Sequence, residues 1–210
     1  MTEIAIYGAG GFGREVNLIL QQLIKKGYPY HFLGFFDDED KSIEFGKSYL
    51  GDTEKLNNWK TPISIALAIG DGKVRKKVVD RISNPKVEFS KVVSPNAIFN
   101  DIINIGAGSI ICAGANLTTN IEVGEFVVVN LNSTIGHDCQ LGNFSSVMPG
   151  ANISGNVKLK ECAFVGSGAN VLNGVEMGEN SILGAGGVLT KNLDANNTAV
   201  GVPAKIVKKW

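Results

Sequence analysis

The stretch from Asn130 to Leu159, NLNSTIGHDCQLGNFSSVMPGANISGNVKL, decides the fold of this 210-residue chain. Every sixth residue in it is large and apolar, and the same spacing runs on in both directions at seventeen consecutive positions. The full series is Val93, Phe99, Ile105, Ile111, Leu117, Val123, Val129, Ile135, Leu141, Val147, Ile153, Leu159, Val165, Val171, Met177, Leu183 and Leu189. In a chain that is 44% hydrophobic, chance would produce such a run about once in a million, so the register is a real feature.

A second set of positions, four residues after the large ones, is mostly small. It includes Ala97, Ser109, Ala115, Ser133, Cys139, Ser145, Ala151, Ala163, Ala169, Ser181 and Gly187. A spacing of six fits neither an α-helix, where it would scatter the stripe around the axis, nor a simple alternating strand. It is typical of hexapeptide β-helices, in which large side chains point inward and small ones fill narrow corners. We therefore predict a parallel β-helix over residues 93–210.

The residues before the repeat alternate between apolar strands and helical segments. A strand over 3–7 leads into GAGGFG, which has the GxGxxG pattern at Gly8, Gly10 and Gly13, and a helix is predicted from Arg14 to about Lys26. This order presents free backbone N–H groups to a phosphate. Strands over 31–36 and 63–69 and a helix over 73–81 follow, so residues 1–92 are predicted to form a small α/β domain, half of a Rossmann-type fold.

Three motifs carry a resemblance to a known family: the run from Asn130 to Leu159 quoted above, SILGAGGVLTK at 181–191, and the ending VGVPAKIVKK at 200–209. They resemble the hexapeptide-repeat sugar acetyltransferases that carry a small N-terminal nucleotide-binding domain. That group includes proteins similar to sialic-acid O-acetyltransferases and the N-acetyltransferases of nucleotide-linked 4-amino sugars. The resemblance implies a left-handed parallel β-helix with three hexapeptides per coil, acetyl-CoA as acyl donor, and a homotrimer with acetyl-CoA between neighbouring subunits.

His137 is the candidate catalytic base. It stands two residues after Ile135 and therefore off the inward stripe, which predicts a place on or near a coil corner. Histidine exchanges protons near neutral pH, and a neighbouring carboxylate such as Asp138 can orient the ring if the backbone turns there. The resemblance places the catalytic histidine and its acidic neighbour at these two positions, and it implies Gly155 as a backbone donor to the oxyanion.

The resemblance also implies two sets of binding residues. The nucleotide sugar would contact Gly10, Gly11, Phe12, Asp37, Asp38 and Gly70, and acetyl-CoA would contact Ser146, Ser167 and Ala185. Some relatives have a second histidine where this chain has Ser146. Asn130, in the coil before His137, is a candidate sugar contact or else a turn residue. An alternative interpretation of Asp37 and Asp38 is a solvated strand end. Lys73, Arg75, Lys76 and Lys77 are interpreted as a solvated helical face, with contact of one of them to a substrate phosphate as the alternative.

The composition argues against several classes of protein, namely nucleic-acid binders, membrane-spanning or secreted proteins and metalloproteins. Twenty basic residues balance twenty acidic ones, which argues against a nucleic-acid binder that works through a general basic footprint. No apolar run is long enough to span a membrane, and we expect no signal peptide. Three cysteines without a CxxC pair favour a reducing cytoplasm. With two histidines, a histidine-rich metal site is not expected, and we predict no metal.

We therefore predict an acetyl-CoA-dependent N-acetyltransferase that acts on a nucleotide-linked 4-amino-4,6-dideoxy sugar, with a role in polysaccharide biosynthesis. Three alternatives stay open. The first is O-acetylation of sialic acid or another surface sugar by the same chemistry. The second is a non-catalytic β-helix that only binds. The third is a nicotinamide-dependent oxidoreductase, although only half of a dinucleotide fold precedes the repeat.

Overall fold

The computed structural model describes residues 1–99 and 103–209 of the chain. It has an α/β part followed by a long parallel β-helix. The last residue of the second predicted domain, Trp210, lies outside the described residues. Strand Val92–Val93 already pairs with Ile110–Ile111, so the first strand of the β-helix straddles the predicted boundary between 92 and 93.

The α/β part is one parallel sheet with helices around it. Its strands are β1 (Thr2–Tyr7), β2 (Tyr30–Phe36), β3 (Tyr49–Gly51), β4 (Ile63–Leu67) and β5 (Val87–Phe89), in the spatial order β3-β2-β1-β4-β5. The helices are α1 (Gly11–Lys25), α2 (Ser42–Phe45), α3 (Thr53–Asn57) and α4 (Gly72–Arg81), with a 3₁₀ turn at Gly46–Ser48. All strand pairs in this sheet are parallel, as alternating strands and helices predict.

The predicted elements of this part exist with shifted ends. Helix α1 begins at Gly11 rather than Arg14 and buries Val16, Ile19, Leu20 and Leu23 at helical spacing. The sequence interpretation missed β3, β5, α2 and α3. These elements have three to five residues each, too few to show a period.

The β-helix consists of very short parallel strands. In chain order, β6 to β21 are Val92–Val93, Asn104–Ile105, Ile110–Ile111, Asn116–Leu117, Glu122–Val123, Val128–Val129, Thr134–Ile135, Gln140–Leu141, Ser146–Val147, Asn152–Ile153, Lys158–Leu159, Phe164–Val165, Asn170–Val171, Glu176–Met177, Ile182–Leu183 and Val188–Leu189. Each central strand pairs with strands 18 residues away, as in Val128 with Ser146. Three hexads therefore make one coil.

The coils stack into three faces. Face 1 contains β6, β8, β11, β14, β17 and β20; face 2 contains β9, β12, β15, β18 and β21; face 3 contains β7, β10, β13, β16 and β19. Face 1 continues into β22 (Asn197–Val200) and the antiparallel β23 (Lys205–Lys209). The chain visits face 1, face 2 and face 3 in turn, and we name each corner by the two faces it joins.

The inward series forms the core, with one exception at its start. All fifteen positions of the series from Ile105 to Leu189 are buried, and most of the small set is buried between them. The prediction is wrong for Phe99, which is 36% exposed, and Val93 is only partly buried. Both lie in the first coil, which no earlier coil covers.

The α/β part packs directly on face 1. Val92, Ile110, Cys112 and Val128 belong to the same apolar cluster as residues of β1 and α1. At the face 3/1 corner, a second contact is an aromatic stack in which the rings of Phe126 and Phe144 are 4.9 Å apart and Phe89 meets Phe126 edge-on. All three cysteines are buried free thiols. Within the described ranges, no helix has the length and hydropathy that crossing a membrane requires.

Candidate active site

His137 lies at the face 2/3 corner, between β12 and β13. Its side chain is 55% exposed, and Nδ1 is 2.7 Å from Oδ2 of Asp138. Neighbouring side chains on a strand point apart, but Asp138 has a φ of 59°, a left-handed conformation that turns the chain and brings the two groups together. Asp138 Oδ1 accepts a hydrogen bond from Asn120, which stands one coil earlier.

The charge of Asp138 decides which nitrogen of His137 carries the proton. Hydrogen bonds from His137 and then from Asn120 lower the pKa of the Asp138 carboxyl below its ordinary value. The carboxylate is therefore ionised at neutral pH and only accepts hydrogen bonds. Nδ1 of a neutral His137 must then be the donor, which leaves the lone pair on Nε2.

Gly155 stands one coil after His137, directly beside its ring. A Cβ at Gly155 would lie 2.5 Å from Nε2 of His137, so the absence of a side chain makes room for the imidazole. Asn173 donates to the Gly155 carbonyl at 2.8 Å, as does the N–H of Gly174 at 3.0 Å, and these bonds hold the glycine backbone. The N–H of Gly155 donates no hydrogen bond within residues 1–99 and 103–209. The ring nitrogen with the lone pair therefore lies beside a glycine whose N–H is free for a ligand.

The glycine-rich loop opens α1 with free backbone donors. Gly10 caps the helix without a side-chain bond, and the N–H groups of Gly11, Phe12 and Gly13 have no acceptor among the residues described. Gly8 has a φ of 104°, and a Cβ at Gly13 would lie 1.9 Å from the Gly8 carbonyl oxygen, so both positions require glycine. An uncapped start of a 15-residue helix attracts an anion such as a phosphate.

The two aspartates after β2 have different surroundings. Asp37 accepts the N–H of Ala9 at 2.7 Å and thereby holds the glycine-rich loop against the end of β2. Asp38 is instead fully engaged with the protein: Tyr7 and Thr53 donate to Oδ1, each at 2.6 Å, and Arg81 donates to Oδ2. The structure makes Asp38 an anchor of the sheet edge, and the contact with the nucleotide sugar that the resemblance implied stays a prediction.

We expect Asp38→Asn to lower the free energy of unfolding at pH 7. We also expect that free energy to change less than in the wild type when the pH is lowered to 3. Burial raises the pKa of Asp38, but bonds from Thr53, Tyr7 and Arg81 outweigh it and leave the pKa well below its usual range. Since the folded pKa is depressed, the stabilisation is present above the unfolded value of about 4 and is lost as the pH falls below it. Because the carboxylate is 43% exposed, the loss at pH 7 should be about 1–2 kcal/mol.

Urea unfolding at pH 7 and pH 3 measures this effect. The control is Asp80→Asn, an exposed aspartate on α4, which should change the unfolding free energy by less than about 0.5 kcal/mol. Equal losses in the two variants would contradict an anchoring role for Asp38.

Two further expected contacts turn out to be structural. Ser146 is 1% exposed, and its hydroxyl donates to the Gly70 carbonyl at 2.9 Å and accepts from Arg75 at 2.9 Å. It lies beneath the α/β part, so the expected contact with acetyl-CoA is corrected: this hydroxyl has no surface to offer a ligand. Asn130 is 4% exposed, and its Oδ1 accepts the Leu131 N–H at 2.7 Å, so its side chain lies within the turn.

The remaining predicted ligand contacts lie at or near the face 1/2 corner. Ser167 and Ala185 are both exposed there, one coil apart, and the Ser167 carbonyl accepts the N–H of Gly186. Gly70 reaches the start of the same corner, since a Cβ on it would lie 3.9 Å from the methyl carbon of Met148. Phe12 and Leu131 pack against one shared apolar cluster. The glycine-rich loop therefore adjoins the face 1/2 corner, whereas His137 occupies the face 2/3 corner.

The sequence interpretation missed two residues that hold the site. Asn120 was not singled out, because its distance of 18 residues from Asp138 has meaning only once the coil length is known. Arg75 was interpreted as part of a solvated helical face, and the structure contradicts this, since Arg75 is 0% exposed. Its neighbours Lys73 and Lys77 are exposed, as predicted.

Comparison with known proteins covers both parts of the chain. The PglD N-terminal domain family matches residues 3–82. A GDP-perosamine N-acetyltransferase from Escherichia coli O157:H7 is 34% identical over 142 residues, or 64% of this chain. That match spans 62% of the relative, less than two thirds of its length. The structure of WeeI from Acinetobacter baumannii AYE is 30% identical and superposes with a TM-score of 0.89 over 99% of this chain and 100% of WeeI. The chain belongs to the hexapeptide-repeat sugar N-acetyltransferase family.

A further member of the family has been solved with ligands. PerB from Caulobacter crescentus, in complex with CoA and GDP-perosamine, is 27% identical and has a TM-score of 0.86, with 99% of this chain and 98% of PerB covered. These similarities confirm the predicted fold class, an α/β domain followed by a left-handed parallel β-helix. Family membership also confirms the resemblance to the hexapeptide-repeat sugar acetyltransferases.

Proposed function

We propose that this protein transfers an acetyl group from acetyl-CoA to the amine of a nucleotide-linked 4-amino-4,6-dideoxy sugar. One observation carries the proposal: Nε2 of His137, oriented through Nδ1 by Asp138, lies beside Gly155, whose N–H has no acceptor among the described residues. Acyl transfer to an amine needs a base and an oxyanion donor side by side. The E. coli relative named as a GDP-perosamine N-acetyltransferase and the PerB complex support the substrate class.

In the proposed reaction, the sugar amine attacks the thioester carbonyl carbon while Nε2 of His137 accepts a proton from the attacking nitrogen. The carbonyl oxygen becomes an oxyanion, to which the Gly155 N–H donates a hydrogen bond. As the C–S bond breaks, the imidazolium returns the proton to the CoA sulfur, so that the products are an amide and free thiol. Asp138 stays ionised and stabilises the imidazolium.

The α/β part is proposed to hold the nucleotide. The free N–H groups of Gly11, Phe12 and Gly13 at the start of α1 suit a diphosphate, and Asp37 holds this loop beside the end of β2. Gly10 and Gly11 are exposed, so a ligand has access to the loop.

We further propose a homotrimer in which the two corners come from different subunits. The glycine-rich loop, Ser167 and Ala185 adjoin the face 1/2 corner, whereas His137 lies at the face 2/3 corner, and face 2 separates the two corners. Bringing the nucleotide, acetyl-CoA and base together requires the second corner from a neighbouring copy. The three buried free thiols suit a reducing cytoplasm, where we place the reaction.

N-acetylation is favoured over the alternatives by the nucleotide site. Free sialic acid has neither a diphosphate for the start of α1 nor a ribose, so O-acetylation of it would leave this loop without a role. A purely binding β-helix gives no reason for the oriented His137–Asp138 pair, and an oxidoreductase would not use it.

The test is CoA thiol release from acetyl-CoA, measured with UDP-, dTDP- and GDP-linked 4-amino sugars and with free sialic acid. We expect release with at least one nucleotide amino sugar and formation of the acetylated sugar. Release with sialic acid alone would favour O-acetylation. Absence of release across the panel, with NAD retained by the protein, would overturn the proposal in favour of the oxidoreductase.

A further inference from the structure

Arg75 is the largest fully buried side chain of the described residues. Its guanidinium makes six hydrogen bonds: Nε donates to the carbonyl of Phe126, Nη1 to the carbonyls of Ile69 and Gly70, and Nη2 to the carbonyls of Phe144 and Ser145 and to Oγ of Ser146. Arginine has five N–H donors, so all of them are engaged. Burial lowers the pKa of Arg75 to about 10, and the group is charged at neutral pH.

Among the described residues, no carboxylate lies within ion-pair distance of Arg75. Its hydrogen bonds go to five carbonyls and one hydroxyl, and the charge of Asp71 supports the cation only from farther away. An unpaired buried charge is costly, and an apolar side chain would fill the same interface more favourably. Apolar clusters on face 1 and the pair of Lys76 with Glu161 already join the two parts. Attachment of the α/β part to the β-helix therefore does not by itself explain why a buried arginine stands at this position.

The six acceptors come from two separate places. Ile69 and Gly70 follow β4 in the α/β part, whereas Phe126, Phe144 and Ser145 belong to the face 3/1 corner, just before β11 and β14. Ser146, the sixth acceptor, connects the two places directly, because its hydroxyl also donates to the Gly70 carbonyl. The guanidinium thus fixes the peptide groups after β4 relative to two coils of the β-helix.

The segment that Arg75 holds supports the glycine-rich loop. A Cβ at Gly8 would lie 2.6 Å from the Ala68 carbonyl oxygen and 3.3 Å from Cγ1 of Ile69, so the loop rests on this segment. Gly70 in turn approaches Met148 at the face 1/2 corner. A shift of the segment after β4 would move the nucleotide loop relative to the β-helix.

We propose that Arg75 is a positioning residue that sets the nucleotide loop at a fixed place relative to the face 1/2 corner. This inference rests on the proposed function. In catalysis, displacements on the order of 1 Å far from the reacting atoms can change rates a hundredfold.

The test compares Arg75→Lys, Ser146→Ala and Lys76→Met with the wild type in steady-state kinetics. Lysine keeps the charge but has three donors without the planar fork, so it cannot hold both sets of carbonyls. For Arg75→Lys we expect KM for the nucleotide sugar to rise about tenfold, with KM for acetyl-CoA changed less than about twofold. Ser146→Ala should raise the sugar KM about threefold. Lys76→Met, which removes a part-buried ion pair between α4 and the β-helix, should leave both constants unchanged.

A second measurement does not depend on activity. Hydrogen exchange at residues 68–74 should be faster in Arg75→Lys than in wild type and unchanged in Lys76→Met. Equal rises of both KM values, or a lowered Tm with wild-type kinetics and exchange, would overturn the positioning role. If Arg75→Lys does not fold, Ser146→Ala decides, and wild-type kinetics in it would overturn the proposal. A wild type that transfers no acetyl group would refute the proposed function, while the exchange data would still report whether Arg75 holds the segment.

Discussion

His137→Ala is expected to lower the rate of acetyl transfer by about 10²–10⁴-fold while leaving the fold intact. The loss follows from removal of Nε2, the basic atom that lies beside Gly155. Stability should change little, because the imidazole is 55% exposed and its hydrogen bond to Asp138 lies at the surface. Thiol release with the preferred nucleotide sugar, measured beside a thermal unfolding curve, separates the two effects.

The matched control is His31→Ala, which removes the other histidine of the chain from an exposed position on β2. It should retain wild-type turnover. Added imidazole should restore part of the activity of His137→Ala and none in the wild type, since a free base can enter the vacated space. Full acetyl transfer by His137→Ala would remove the base from the proposed mechanism.

The fold was predictable because its repeat is long and its physical cause is local. The inward residues from Ile105 to Leu189 recur every six positions and pack in one core, so each repeat is independent evidence for the same fold. The exception, Phe99, shows the limit: the period specifies which side chain points inward but not whether a coil lies above it. The short elements β3 and α3 have no repeat: β3 depends on its pairing with β2 and α3 on its contacts with β3, which only the folded sheet brings together.

The site was predictable in part for the same reason. The place of His137 relative to Ile135 locates it at a corner, and the left-handed turn at Asp138 supplies the contact between neighbours. Arg75 was not predictable, because its acceptors are backbone carbonyls contributed by residues 51 to 70 positions later in the chain as well as by its own loop. In the sequence it looks like the lysines on either side of it.

Gly155→Ala is expected to lower turnover about a hundredfold at nearly unchanged stability. Gly155 has no left-handed φ, so alanine fits its backbone, but the new Cβ would lie 2.5 Å from Nε2 and 2.6 Å from Cε1 of His137. Those atoms are the far end of an exposed side chain, which can swing away at little cost to folding. The N–H of residue 155 remains, so the lost activity reports the displaced imidazole rather than a missing oxyanion donor.

A double-mutant cycle tests whether the loss in Gly155→Ala comes only from displacement of the His137 ring. If alanine at 155 acts only by displacing the ring, then His137→Ala combined with Gly155→Ala should be no less active than His137→Ala alone. The control is Gly174→Asn, at the next coil of the same corner, where the φ of 73° suits asparagine and a Cβ meets nothing within 4 Å. It should keep wild-type turnover. Additive losses in the double variant would mean that Gly155 acts on the reaction independently of His137, and an active Gly155→Ala would mean that the ring works from another position.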